Sequence, residues 1–151
     1  MPVQFRNVDA SPLDDITTWP YEALVTAVDR GLVSDWQPIF VEIRRRPWGP
    51  VARRVERYIA YRDGDGVSKL FAMAIERART RADHAYRAAV AERVRTAVER
   101  SGLTRAQFAD LVGTSASRLS TYLNGKVVPS AAMLIRIERG GAGPCTQRVP
   151  R

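Results

Sequence analysis

Ser101 to Gly125 reads SGLTRAQFADLVGTSASRLSTYLNG, and its punctuation predicts two short helices joined by a tight turn. Thr104 followed three residues later by Gln107 is a capping-box pattern, in which each residue bonds the other's backbone N–H at a helix start. The first helix then runs from Arg105 to about Val112. Gly113 can take the left-handed backbone that a turn into a second helix requires. Ser115 suits the cap of that second helix, which runs to about Leu123 and ends at Asn124-Gly125. Phe108, Leu111 and Val112 are expected inward on the first helix, and Leu119, Tyr122 and Leu123 on the second. Ala109 is small where the two helices would cross. Ala116, Ser117, Arg118, Ser120 and Thr121 are left facing outward. Such a face of small hydrogen-bonding groups with one Arg fits the DNA major groove, where hydroxyls bond base edges and Arg bonds guanine or phosphate.

Beyond Gly125, Ser130 is placed to cap a further helix over 130–139, with Met133, Leu134 and Ile137 inward. Upstream, from Val67 to Arg100, apolar residues recur at helical spacing without an intervening Gly or Pro. The pattern allows one long helix or two that meet near Thr80–Asp83. Val67, Leu70, Phe71, Ala74, Ile75, Ala78, Ala82, Ala85, Tyr86, Ala89, Val90, Val94, Ala97 and Val98 carry its apolar rhythm. Its middle, 78–89, is poor in large side chains, which suits a linker, a close helix contact or a dimer seam but is too Ala-rich for a strong coiled coil.

This segment resembles the helix-turn-helix of the XRE family, the Cro and phage-repressor-like DNA-binding domains. The matching residues are Leu103-Thr104, Phe108-Ala109, Leu111-Val112-Gly113, Ser115, Leu119, and Asn124-Gly125-Lys126 followed by Pro129-Ser130. The resemblance covers residues 86–140. It implies a domain of about five helices, in which residues 84–101 supply the first and 130–139 the fourth, with a fifth short or missing. It also implies roles by position. Arg105, Ser115, Asn124 and Lys126 would contact the DNA backbone, while Ala116, Ser117, Arg118 and Thr121 would read bases. Two positions depart from the family. Arg105 replaces the usual glutamine, and Leu123 replaces the usual acid before Asn-Gly, so the buried ion pair often found there is missing.

The N-terminal part predicts three shorter helices. One starts near Pro20, which suits a first turn, carries Tyr21, Leu24, Val25 and Val28, and stops at Gly31. A second is capped by Ser34 or Asp35, holds Pro38 in its first turn and has Trp36, Ile39, Phe40 and Ile43 as its stripe. A third covers 50–61, with Val51, Val55, Tyr58 and Ile59 opposite Arg53, Arg54 and Arg57. Trp19, Trp36 and Trp48 read as core and corner-packing residues. Asp63-Gly64-Asp65-Gly66 is a break; it lacks the spaced acids and terminal Glu of a calcium loop and reads as a plain turn. Arg44, Arg45 and Arg46 close a helix, where cations oppose the negative dipole end. Together with Arg53, Arg54 and Arg57 they form either a solvated face or a candidate second phosphate-contacting surface.

The 151 residues suffice for one domain or two small helical ones, and 45% hydrophobic content allows a buried core. The net charge is +8, and it is unevenly spread. Residues 1–43 hold 2 Arg against 7 acids, residues 44–83 hold 11 Lys and Arg against 5 acids, and residues 84–151 hold 11 against 4. The basic portion therefore begins at Arg44, which favours a polyanionic partner, nucleic acid before an anionic membrane. The single cysteine, Cys145, cannot form an internal disulfide. With the single histidine, His84, it offers no metal cluster or nucleophile–base set. No cofactor, metal or enzymatic activity is expected. No secretory leader or membrane span is evident, and the expected location is the cytoplasm, in association with the nucleoid.

The expected architecture is all-α. An N-terminal helical unit, 1–66, leads through a connecting helix, 67–83, to a lambda-repressor-like helix-turn-helix domain, 84–140, and a flexible tail, 141–151. The expected function is a double-stranded DNA-binding transcriptional regulator, a repressor of the phage or prophage immunity type, acting as a homodimer and open to a protein partner through its N-terminal unit. The rival readings are an antitoxin that represses its own operon and a protein-interaction adaptor whose basic face is only solvated.

Overall fold

The structure, a computed structural model, describes residues 4, 5 and 8–143. Local sequence chemistry sets its element boundaries. Asp15 accepts the Thr17 N–H at 2.8 Å and opens a short 3-10 turn, Ile16–Thr18. Helix α1, Tyr21–Arg30, starts after Pro20 and stops at Gly31. Helix α2 is Val33–Arg45, and its N-cap is Leu32, not Ser34 or Asp35. Asp35 lies one turn in, where its carboxylate accepts the Leu32 N–H at 2.8 Å. This earlier start moves Pro38 from the first turn into the second, inside the helix. Helix α3, Pro50–Ile59, begins with proline in its first position, where the missing N–H costs no bond. It ends two residues before the expected Tyr61.

Helix α4 answers the open question of the middle segment, because Gly66–Ser101 is one helix of 36 residues. Asp65 caps it. The Asp65 carboxylate accepts the Ser68 N–H at 2.8 Å and pairs with Arg62, which also pairs with Asp29. That backbone bond, and then the Arg62 guanidinium, hold the Asp65 carboxyl down to about 2. The break at 63–66 is thus a turn that carries a helix cap. Helices α5, Arg105–Val112, α6, Ala116–Leu123, and α7, Ala131–Gly141, follow. The described residues contain seven α-helices and no strand, an all-α fold with a helix-turn-helix.

The chain divides into two units, residues 1–82 and 83–151. In the first, Leu24, Val28, Ile39, Ile43, Val51 and Val55 pack with Phe71, Ile75 and Ala78 of α4. The stretch read as a connector therefore supplies part of this core. Trp19 is buried, with Phe5 edge-on to it at 4.9 Å. Trp36 donates to the Ala27 carbonyl at 2.8 Å, and Trp48 is the most exposed of the three tryptophans. Arg79 chelates Glu56 through two bonds, at 2.8 and 2.9 Å, and donates to the Pro47 carbonyl.

In the second unit, Val94 and Ala97 of α4 pack with Phe108, Ala109, Val112, Leu119, Tyr122 and Ile137. Leu111 departs from expectation: it is 58% exposed, because Phe108 and Val112 already occupy the side of α5 that meets the core. Ala85, Tyr86 and Ala89 are likewise exposed, although their spacing matches the apolar rhythm. Helix α7 runs to Gly141, past the expected end at residue 139. A Cβ on Gly141 would stand 2.5 Å from the Ala97 carbonyl oxygen, and one on Gly140 would stand 3.0 Å from Val112. These glycines let helices approach each other closely. The residues beyond Gly143, with Cys145, lie outside the described part.

Candidate nucleic-acid interface

The pair α5–α6 is held by the bonds its sequence implies. The Thr104 N–H donates to Gln107 Oε1 at 3.0 Å, and the Gln107 N–H donates back to Thr104 Oγ1 at 3.3 Å. Gly113 is left-handed, φ 73°, a conformation in which a side chain would be strained. The Arg118 N–H donates to Ser115 Oγ at 3.1 Å and caps α6. Leu119 and Tyr122 anchor the helix by burial, and Ala109 is buried in the same core.

Two arginines that sequence reasoning overlooked support this pair from outside. Arg136 of α7 donates to the Val112 carbonyl at the end of α5, at 3.4 Å. Arg95 of α4 donates to the Leu123 carbonyl at the end of α6, at 3.2 Å, and pairs with Glu92. A guanidinium at a helix C-terminus satisfies free carbonyls and opposes the dipole. Arg95 meets the backbone of Leu123, where the resemblance leads one to expect an acidic side chain. An ion pair, Arg93 with Glu138 at 2.6 Å, joins α4 to α7.

The expected base-reading residues share the outer side of α6. Ala116, Ser117 and Arg118 are exposed, and Thr121 is half-buried. Two of them already bond within the helix. Arg118 Nε donates to the Tyr122 hydroxyl at 3.2 Å, and the Thr121 hydroxyl donates to the Arg118 carbonyl at 2.7 Å. The spacing of Arg118 and Tyr122, four apart on one helix, was a signal available in the sequence. Among the expected backbone-contacting residues, Arg105 and Lys126 are exposed, with no side-chain partner among the described residues. Ser115 is exposed but bonded as the cap. Asn124 Oδ1 accepts the Lys126 N–H at 3.1 Å, which shapes the loop through the left-handed Gly125, φ 71°.

The six arginines expected to form a second basic surface, all in the first unit, divide by structural duty. Arg46 pairs with the buried Glu42 at 2.8 Å, and Arg54 donates to the Trp19 carbonyl at 3.0 Å. Arg44, Arg45, Arg53 and Arg57 are exposed and unpaired among the described residues. Of the six, these four are available to a polyanion without loss of a hydrogen bond or ion pair among the described residues. No group of three or more His, Cys, Asp or Glu side chains among the described residues is placed to hold a metal ion. No described helix is long and apolar enough to cross a membrane.

Residues 89–143 match the family model of a helix-turn-helix domain. No curated protein and no solved structure matches the chain.

Proposed function

We propose that this protein is a sequence-specific double-stranded DNA-binding regulator that represses transcription by occupying promoter DNA, with α6 as its recognition helix. The observation that carries the reading is the outer side of α6. It presents Ala116, Ser117, Arg118 and Thr121, so no bulky or acidic side chain bars entry to the major groove. Arg118 and the hydroxyls supply hydrogen bonds to base edges, and Ala116 suits a thymine methyl. Arg105, Asn124 and Lys126 flank the helix as backbone contacts, and these position the protein without reading sequence. The net charge of +8 supports the same partner.

A recognition helix of eight residues covers a single half-site, so the active species is a homodimer on a two-fold operator. Gel filtration with light scattering, with and without operator DNA, tests this. A dimer on DNA is expected, and a monomer under both conditions would contradict it.

Substitution tests the site. Arg118→Ala and Thr121→Ala change which sequences bind. Lys126→Ala weakens all sequences alike and lowers the salt slope by about one. Unchanged sequence preference in both α6 variants would refute the assignment of α6.

A further inference from the structure

We propose that Tyr122 is a positioning residue, which holds the Arg118 guanidinium end-on toward a guanine in the major groove. The inference rests on α6 being the DNA-reading helix and assigns the base that its one arginine takes.

An exposed arginine is ordinarily mobile, and its rotamer freedom is lost each time it binds. Arg118 differs, because its partner is fixed. The Tyr122 ring is 4% exposed and packs in the core with Val94, Phe108 and Leu119. Its hydroxyl accepts the Arg118 Nε–H at 3.2 Å, one helical turn away. Arginine has no acceptor, so the direction of this bond is settled. With Nε occupied, Nη1 and Nη2 remain as two parallel donors at the tip of the side chain. That end-on fork matches the paired O6 and N7 acceptors on the major-groove edge of guanine.

Thr121 adds a second constraint. Its hydroxyl donates to the Arg118 carbonyl at 2.7 Å. A carbonyl only accepts, so the hydroxyl proton is committed within the helix. Toward a base, Thr121 Oγ1 therefore acts as an acceptor alone. Its match is an exocyclic amino group, adenine N6 or cytosine N4. Residues 118 and 121 lie three apart, on one side of the helix. The inferred half-site thus pairs a guanine with a neighbouring amino-bearing base.

The test is selection by the full-length protein from a library of randomised 20-base-pair duplexes, followed by titration of the enriched duplex and its single-base variants. The wild type is expected to enrich a motif with one guanine per half-site that is preferred roughly tenfold to a hundredfold over other bases. Arg118→Ala abolishes that preference. Tyr122→Phe keeps the ring in the core and the rest of the motif, and it reduces the guanine preference severalfold. Its affinity for an unrelated duplex and its salt slope stay at wild-type values, which a purely structural role would not produce. Arg118→Lys leaves the core untouched and keeps the charge, yet it reduces the guanine preference severalfold, because a flexible ammonium lacks both the planar fork and the Nε–H that Tyr122 holds. This variant decides the arginine assignment should Tyr122→Phe unfold.

Full guanine preference in a folded Tyr122→Phe protein would overturn the role of Tyr122. An Arg118→Ala variant whose salt slope falls by about 0.9, with every base preference intact, would make Arg118 a phosphate contact and overturn the proposal. A wild type that enriches no motif would instead refute the DNA-reading function beneath it.

Discussion

Gly141 of α7 rests on the backbone of Ala97 of α4, so closely that a Cβ there would lie 2.5 Å from the Ala97 carbonyl oxygen and 2.6 Å from its Cα. Neither atom belongs to a side chain that could swing aside. Gly141→Ala therefore forces the helices apart and destabilises the protein by about 1–3 kcal/mol, as overpacking does. Gly66→Ala is the control. It lies at the start of α4 with open space around it, and it leaves stability unchanged or raises it by up to about 1 kcal/mol. Thermal unfolding of both variants checks the pair.

Leu111 and Leu119 belong to the same two-helix motif but differ in burial, at 58% and 0% exposed. Leu119→Ala removes a side chain from the centre of the second core and costs about 2–5 kcal/mol. Leu111→Ser stays within about 0.5 kcal/mol of wild type, as for surface substitutions. Urea denaturation followed by far-UV circular dichroism distinguishes them, and equal losses would place Leu111 in the core.

The arginines of α3 separate in the same way. Arg54→Ala removes the bond to the Trp19 carbonyl and destabilises the first unit by about 1–2 kcal/mol. Arg53→Gln with Arg57→Gln leaves stability within about 0.5 kcal/mol, since both side chains are exposed and unpaired among the described residues. Tryptophan fluorescence during denaturation reads both.

Acid should weaken the start of α4. The Asp65 carboxyl is held down to about 2 by the Ser68 N–H and by Arg62, below the ordinary carboxylate value of about 3.9. A carboxyl depressed in the folded state contributes stability that is present above its unfolded value and lost as pH falls through the folded one. The contribution therefore disappears between about pH 4 and pH 2. Asp65→Asn keeps a capping acceptor but cannot titrate, so its stability changes less over that window. Thermal unfolding across the pH range measures the difference.

Much of the helix-turn-helix half was legible in the sequence because its signals are local. Thr104 with Gln107, Gly113 and Ser115 each act within four residues, and α5 and α6 begin and end where those residues require. What escaped depends on tertiary geometry. The exposure of Leu111 follows from the angle at which α5 meets its neighbours, which helical spacing leaves open. The glycines at 140 and 141 resemble the start of a tail when read alone, and their place in the helix goes with the close approach of Gly140 to Val112 and of Gly141 to Ala97. Arg95 and Arg136 bond carbonyls 28 and 24 residues away, beyond any local pattern. In the N-terminal half, the apolar stripes were readable. The division of its arginines into bonded and free was not, since the partners of Arg54 and Arg79 lie on other elements.

The most direct test of the central claim is binding of the full-length protein to DNA from upstream of its own gene, beside a scrambled duplex of equal length, titrated from low to physiological salt. The account predicts that affinity for both falls with salt while the upstream fragment stays bound at physiological salt with a clear preference over the scrambled one. Equal affinity for both fragments, lost together as salt rises, would contradict it and leave only a basic surface that attracts polyanions.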